Sequence, residues 1–541
     1  MAAEYDVLIR NGTIYDGTGL RPYVGDVGIV GEKIAYVGPG GAGRGAREID
    51  ATGLAVAPGF INMLSWACDD LLVDGRSQSD IRQGVTLEVM GEGSSMGPWN
   101  EAMKQADLEQ QGDIRYDIAW TTLGEYLDHL VARGVSCNVA SFVGATTVRV
   151  HELGYADRRP TPAELERMCA LVRQAMEEGA VGVASSLIYT PAAFADTAEL
   201  VALARAAGEY GGMYISHIRN EADSLIEAFE ELVSIARQAN VRAEVYHLKA
   251  SGQDNWHKLD ELIARINEVR RAGLAVTADM YTYHASSTGL DSVMPPWVQE
   301  GGHRAWVERL KDPAIRARVK REMNEKSIAW DNGYLSAGSP AGILLIGFKN
   351  EQLRHLAGKS LAEVAALRGQ PPEETAMDLV IEDDSRVQAV FFSMSEDNIR
   401  RQIRQPWMSF CSDGGSISAE GVFLKRNRHP RTYGAFARLL GKYVRDEGLI
   451  PLEEAVRRLT SLPAGNLRIQ HRGRLQAGCF ADVVVFDPAT IRDNATFDKP
   501  HQYATGVQHV LVNGVQVLCD GEHTGAKPGR VVRGPGYRKS Q

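Results

Sequence analysis

Two histidines stand at matching points of a repeated pattern. His217, in MYISHIRNE, closes an apolar run just before a helical one, and His247, in AEVYHLKASG, does the same about one strand–helix unit later, with Lys249 two residues on. Imidazoles carried on two strand ends can meet and share one metal ion. Alone, either would read as a hydrogen-bonded histidine beside a core; the matched pair argues otherwise. A third strand end is WMSFCSDGG, where Asp413 precedes two glycines that permit a sharp turn. Beside a metal, that carboxylate can take a proton from water and deliver it to a leaving amine. In LEVMGEGSSMG, Glu88, Met90 and Glu92 alternate onto one strand face, with Glu92 at the glycine-flanked tip. Glu92 can complete a His/His/Glu site or, as an alternative left open, orient a histidine from behind. Of the other histidines, His429 in RHPRTYG is the one to follow.

These residues need a scaffold that gathers strand ends. From "GVTLEVMG" to "AVTADMYTY", apolar runs alternate with amphipathic helical stretches such as TPAELERMCALVRQAMEEG, which carries proline and acids in its first turn. That alternation predicts a parallel sheet, and eight repeats close a (β/α)8 barrel whose reactive residues lie at the C-terminal strand ends. Both chain ends read differently. Short β-rich runs with Asn-Gly and Asp-Gly turns occupy residues 1–57 and 466–541, and the two sets are expected to pair into one small β-sandwich. The barrel then spans 58–465. The rhythm breaks at about 286–350, which predicts an inserted segment near the barrel mouth.

A net charge of −10 without any basic stripe argues against nucleic acid as a partner. The start MAAEYDVLIR lacks a basic n-region and a long apolar run, and no stretch approaches membrane-span length, so neither a signal peptide nor a membrane partner is expected. Six scattered cysteines with no CxxC pair suggest reduced thiols in the cytoplasm. The sequence does not set the oligomeric state; a homo-oligomer stays open.

The ordered set DVLIRNGTIYDGTG, APGFIN, QGVT, SSLIYTP, SHIRNE, HLKASG, YTYHASST, SDGG, HPRTYG and LTSLPAGNLRI…RGRLQAGCFADVVVFDP resembles the D-aminoacylase (N-acyl-D-amino-acid deacylase) branch of the amidohydrolase superfamily over nearly the whole chain. Each motif is weak; their order is specific. The resemblance implies a (β/α)8 barrel with a β-sandwich from both ends, and zinc-dependent hydrolysis of a small-molecule N-acyl amide. By matching motif, His217 and His247 would hold the tightly bound zinc and Asp413 would act as base and then acid. Lys249, Tyr189, Tyr281, Ser287 and His429 would lie on the substrate side. Arg219 would hold a substrate carboxylate, because a guanidinium can do so bidentately.

The chain departs from that branch twice. After APGF the usual HxH is Leu64-Ser65-Trp66, with Asn62 before it, and the Leu64 and Trp66 side chains offer no metal ligand. The branch's cysteine in a GNCG-like turn falls near Gly93, which leaves Glu92 as the third ligand, with Cys68 and Cys411 as fallbacks. The expectation is therefore one zinc ion per chain. Two rival readings are a cyclic-amide, hydantoin or dipeptide hydrolase on the same fold and a binding protein that has lost catalysis.

Overall fold

The computed structural model describes residues 4–41 and 43–538. Among them, eight parallel strands form the barrel: β1 (Phe60–Asn62), β2 (Val85–Met90), β3 (Asn138–Ser141), β4 (Gly182–Ser186), β5 (Met213–His217), β6 (Ala243–Val245), β7 (Val276–Met280) and β8 (Met408–Phe410). β1 to β3 are hydrogen-bonded neighbours, as are β4 to β8. The runs join where Val181 N donates to Ser141 O and where Met63 N donates to Phe410 O, followed by a parallel bridge between Ser65 and Gly414. Each strand is buried along its whole length. That is why they read as continuous apolar runs rather than as alternating ones.

The surrounding helices carry their start signals in the sequence. In the helices Leu123–Arg133 and Pro162–Glu177, Thr122 pairs with Glu125 and Thr161 with Glu164 in reciprocal caps, and Pro162 occupies the first helical position. Such caps fix where a helix begins, and so fix the length of the segment that enters it from the preceding element.

Both chain ends build one structure, but it is a single nine-stranded sheet among the described residues, not two separate sheets. Its seam is the strand Ala55–Pro58, parallel to Glu4–Ile14 and antiparallel to Val483–Phe486. The sheet folds over, so that Lys33 bridges to Phe480, and it encloses its own core of Ile9, Val27, Ile29, Val56, Val483 and Leu511.

The segment read as an insertion over about 286–350 is continuous with a small sheet that extends to Phe391. Its strands Ser286–Gly289 and Ile343–Gly347 both pair with Gln388–Phe391. The helices Leu361–Arg368 and Pro372–Asp383 resemble barrel helices in sequence, which hides that they belong to this unit. They pack on a separate core with Leu290, Trp306 and Phe391.

At the opposite end of the barrel, residues 529–538 run beneath β3 and β4. Gly529 N donates to Val135 O, Val139 N to Arg530 O, Val532 N to Val139 O, and Gly534 N to Gly179 O. No helix among the described residues is long and apolar enough to cross a membrane.

Candidate metal centre and substrate cavity

A cavity of about 500 Å³ opens at the C-terminal ends of the strands, roofed in part by the insertion through Asp291, Trp306 and Arg386. Its floor carries the metal-ligand candidates. Glu92 follows β2, His217 ends β5 and His247 follows β6. Each can offer one ligand atom, and these three atoms lie within 4.8 Å of one another. Glu92 Oε1 is 3.2 Å from His217 Nδ1 and 2.9 Å from His247 Nε2. All three residues are at most 4% exposed.

The groups of this floor act strongly on one another. Burial alone would raise the Glu92 carboxyl, but the facing His247 and His217 outweigh it and hold it below the usual carboxylate range. Burial and Lys249 push His247 towards neutrality, yet Glu92 and Glu221 on either side hold its pKa up at about 10. His217 Nε2 is buried without a hydrogen-bond partner among the described residues. Two imidazoles and a carboxylate, one ring nitrogen unspent, suit zinc. Cys411 and Cys68 are not in this three-donor group. Burial pushes the Cys411 thiol well above its ordinary range, away from the thiolate a metal requires.

Glu221, which the sequence reading passed over, organises the pair from behind. It accepts from Lys249 Nζ at 2.7 Å and lies 3.2 Å from His247 Nδ1. Its position four residues after His217, in SHIRNE, was the available signal. Lys249 Nζ also lies 2.7 Å from His247 Nδ1, so its ammonium is engaged with the floor of the cavity. His247 and Asp413 are two of the few non-glycine residues with positive φ, 34° and 47°. A backbone held in that region persists only where its surroundings over-determine it. For His247 one restraint is Asp279, whose Oδ1 accepts the His247 N–H at 2.7 Å.

Asp413, just beyond β8, faces the same cavity. Its Oδ2 lies 2.8 Å from Arg431 Nη1, and its Oδ1 accepts a 3.0 Å hydrogen bond from Trp66 Nε1. Burial raises the Asp413 carboxyl above the ordinary aspartate range, with Arg431 acting in opposition. Neither contact was visible in the sequence. Of the two side chains that stand in for the HxH histidines, Leu64 is wholly buried in the core and Trp66 lines the cavity.

Tyr189, Tyr281 and Ser287 also line the cavity. The Tyr189 hydroxyl donates to Thr288 Oγ1, and the Ser287 hydroxyl donates to Ala389 O. His429 lies there too, but both its nitrogens are committed: Nε2 donates to Ala285 O and Nδ1 accepts from Arg431 N. Burial, reinforced by Arg431, keeps its pKa well below the usual histidine value. It shapes the loop that presents Arg431 and has no nitrogen left for a ligand.

Arg219 must be corrected. It lies two residues past the end of β5 at His217. Its guanidinium turns away, bidentate on Glu231 and donating to Ala193 O and Ala195 O. It lines a separate cavity with Trp297 and Trp330. The guanidinium that enters the site is Arg431, 4.5 Å from the Tyr281 ring, with its Nη1 facing Asp413 and its Nη2 donating to Ser287 O. Its Nε and Nη1 are buried without an aligned hydrogen-bond acceptor among the described residues; Nη1 contacts Asp413 as an ion pair only. Arg386 and Arg428 line the same cavity.

A family model described as "Amidohydrolase family" matches residues 47–518. The D-aminoacylase of Alcaligenes xylosoxydans xylosoxydans is 32% identical over 533 residues, covering 98% of this chain and 97% of that one. The N-acyl-D-glutamate deacylase of the same organism is 33% identical over 540 residues, again covering 98% and 97%. Among solved structures, the N-acyl-D-glutamate deacylase of Bordetella bronchiseptica, complexed with zinc and a phosphonate mimic of the tetrahedral intermediate, matches with a TM-score of 0.80 at 32% identity, covering 98% of this chain and all of that one.

Proposed function

The chain belongs to the amidohydrolase family, and we propose that it hydrolyses the amide bond of N-acyl-D-amino acids, releasing a carboxylic acid and a free amine, with one zinc ion per chain. The observation that carries this reading is the convergence of Glu92, His217 and His247 within 4.8 Å in a cavity that also holds Asp413. Zinc bound by those three residues would polarise the acyl carbonyl and lower the pKa of a water towards about 7. Asp413 takes that water's proton as the oxygen bonds to the acyl carbon. It returns the proton to nitrogen as the carbon–nitrogen bond breaks. Tyr189 would donate its hydroxyl to the acyl oxygen on giving up its present acceptor, Thr288 Oγ1. Lys249 and Glu221 hold His247 in one orientation. We assign the substrate carboxylate to Arg431, whose Nε has no hydrogen-bond acceptor among the described residues while its Nη1 stays paired with Asp413.

The test is metal analysis of the purified protein together with amine release from N-acetyl-D- and N-acetyl-L-amino acids. We expect one zinc per chain and turnover in the D series. Metal without amine release from either series would overturn the substrate class, and a chain purified without metal would overturn the site.

Arg431→Met separates two roles. Loss of a charge-assisted contact to the substrate carboxylate should raise KM about tenfold to a hundredfold. The pH profile should move as well. Arg431 holds the Asp413 carboxyl down against burial, so removing it raises that pKa further. A base must be ionised, hence the acid limb of kcat/KM should shift to higher pH. A raised KM with an unmoved acid limb would show that Arg431 does not tune Asp413.

A further inference from the structure

We propose that Trp66 is a positioning residue for the general base. This rests on the reading of Asp413 as that base and adds a group the amidohydrolase motif does not supply. Residues 62–66 lie against 412–414 like two rungs of one ladder. Asn62 Oδ1 accepts from Ser412 N at 2.9 Å while its Nδ2 donates to Ser412 Oγ at 2.8 Å. Asp413 N then donates to Leu64 O at 3.0 Å, and Trp66 N to Gly414 O at 2.9 Å. This ladder holds Asp413 at its φ of 47°. It fixes the backbone only. The carboxylate itself can still rotate about its side-chain bonds, and the indole removes that freedom: Trp66 Nε1 donates to Oδ1 at 3.0 Å while Arg431 Nη1 faces Oδ2 at 2.8 Å.

The chemistry suits the task. An indole N–H donates and cannot accept, so it holds a carboxylate without competing for the proton that carboxylate must carry. The ring is 39% exposed, a large apolar surface turned to the cavity instead of the core. Its place beside Asp413 is therefore not a by-product of core packing.

Trp66→Phe keeps the aromatic surface and removes the donor. The other groups facing Asp413 are Arg431, His247, Glu92 and Lys249, with Asp279, Tyr281 and Cys411 packed close by, and this variant leaves all of them in place. We expect kcat to fall about tenfold to a hundredfold, the size expected for one hydrogen bond to a charged group. KM and zinc content should stay as they were, and the acid limb of kcat/KM should move to higher pH. In the Asp413→Asn background the same change should cost nothing further, since its target is already gone. Trp66→Gln, which restores an N–H donor without the ring, should recover part of kcat. If Trp66→Phe raises KM and leaves kcat and the acid limb alone, the indole is a substrate wall and the proposal fails. An equal loss in the Asp413→Asn background overturns it as well. Full activity of Asp413→Asn itself would instead remove Asp413 from its role, a separate and distinguishable failure.

Discussion

Asp413→Asn should keep its zinc and lose about two to four orders of magnitude in kcat, the range supplied by a positioned general acid–base group. The substitution preserves shape and backbone, although the amide NH2 then faces the Arg431 donor where Oδ2 had been. Asparagine has the same shape, and it is among the few residues that accept a positive φ readily, so the 47° backbone is not disturbed. The side-chain carbonyl can still accept the Trp66 N–H, and the ladder from Asn62 to Trp66 is untouched. Asp413 is also outside the three-donor group of Glu92, His217 and His247, so metal content should not change. What is lost is the ability to take and return a proton. Plasma mass spectrometry with steady-state kinetics on the same preparation decides it: zinc at the wild-type level with turnover within tenfold of wild type would exclude Asp413 as the base.

The second large effect concerns the metal. His217→Ala and His247→Ala each delete one of three donors, and we expect zinc per chain to fall by at least an order of magnitude with activity falling in parallel. Glu92→Gln is the more informative member of the series. It preserves volume in a site at most 4% exposed but removes the negative charge that faces both histidines. If Glu92 ligates, zinc is lost as with the histidine variants. If it only orients a ring, zinc remains near one per chain while activity drops, because the replaced contact acts through the histidine. Stripping zinc from the wild type with a chelator should also lower the melting temperature, since an ion that binds only the folded chain stabilises it by mass action, and adding zinc back should restore it. A chelator-treated chain that melts unchanged would argue that these residues hold no metal.

The parts of the site legible in the sequence share one property: they sit where a strand stops. His217, His247 and Asp413 each end an apolar run, and a buried parallel strand writes that run as a continuous block. Glu92 was legible because its strand ends in glycines. What stayed hidden depends on contacts between distant segments. The Trp66–Asp413 hydrogen bond joins residues far apart in the chain, and no periodicity marks it. Arg431 opens the helix Arg431–Arg438, two residues after His429, which drew the attention because histidine is the commoner functional residue. The structure shows the histidine supporting the loop and the arginine entering the cavity. Arg219 failed for a different reason: it was assigned from its motif and chemistry, but it lies past the strand's end at His217 and its guanidinium is taken up by Glu231. In the fold, the extension of the inserted segment to Phe391 was hidden because its helices obey the same local rules as barrel helices; only their pairing partner, the strand Gln388–Phe391, assigns them elsewhere.

The segment 529–538 beneath β3 and β4 bears on how the protein is made. β1 ends at Asn62, whereas the backbone groups of Val135, Val139 and Gly179 find their partners only at Gly529, Arg530, Val532 and Gly534. At ribosomal speeds of about 5–20 residues per second, roughly 20 to 95 s separate the synthesis of those two points. The strand Ala55–Pro58 waits similarly for Val483–Phe486. Throughout that interval the nascent chain carries a sheet seam and a barrel underside with unpaired edges, the kind of surface that chaperones cover and that otherwise aggregates. Solubility during expression should therefore depend on the far end of the chain more than on any residue of the cavity.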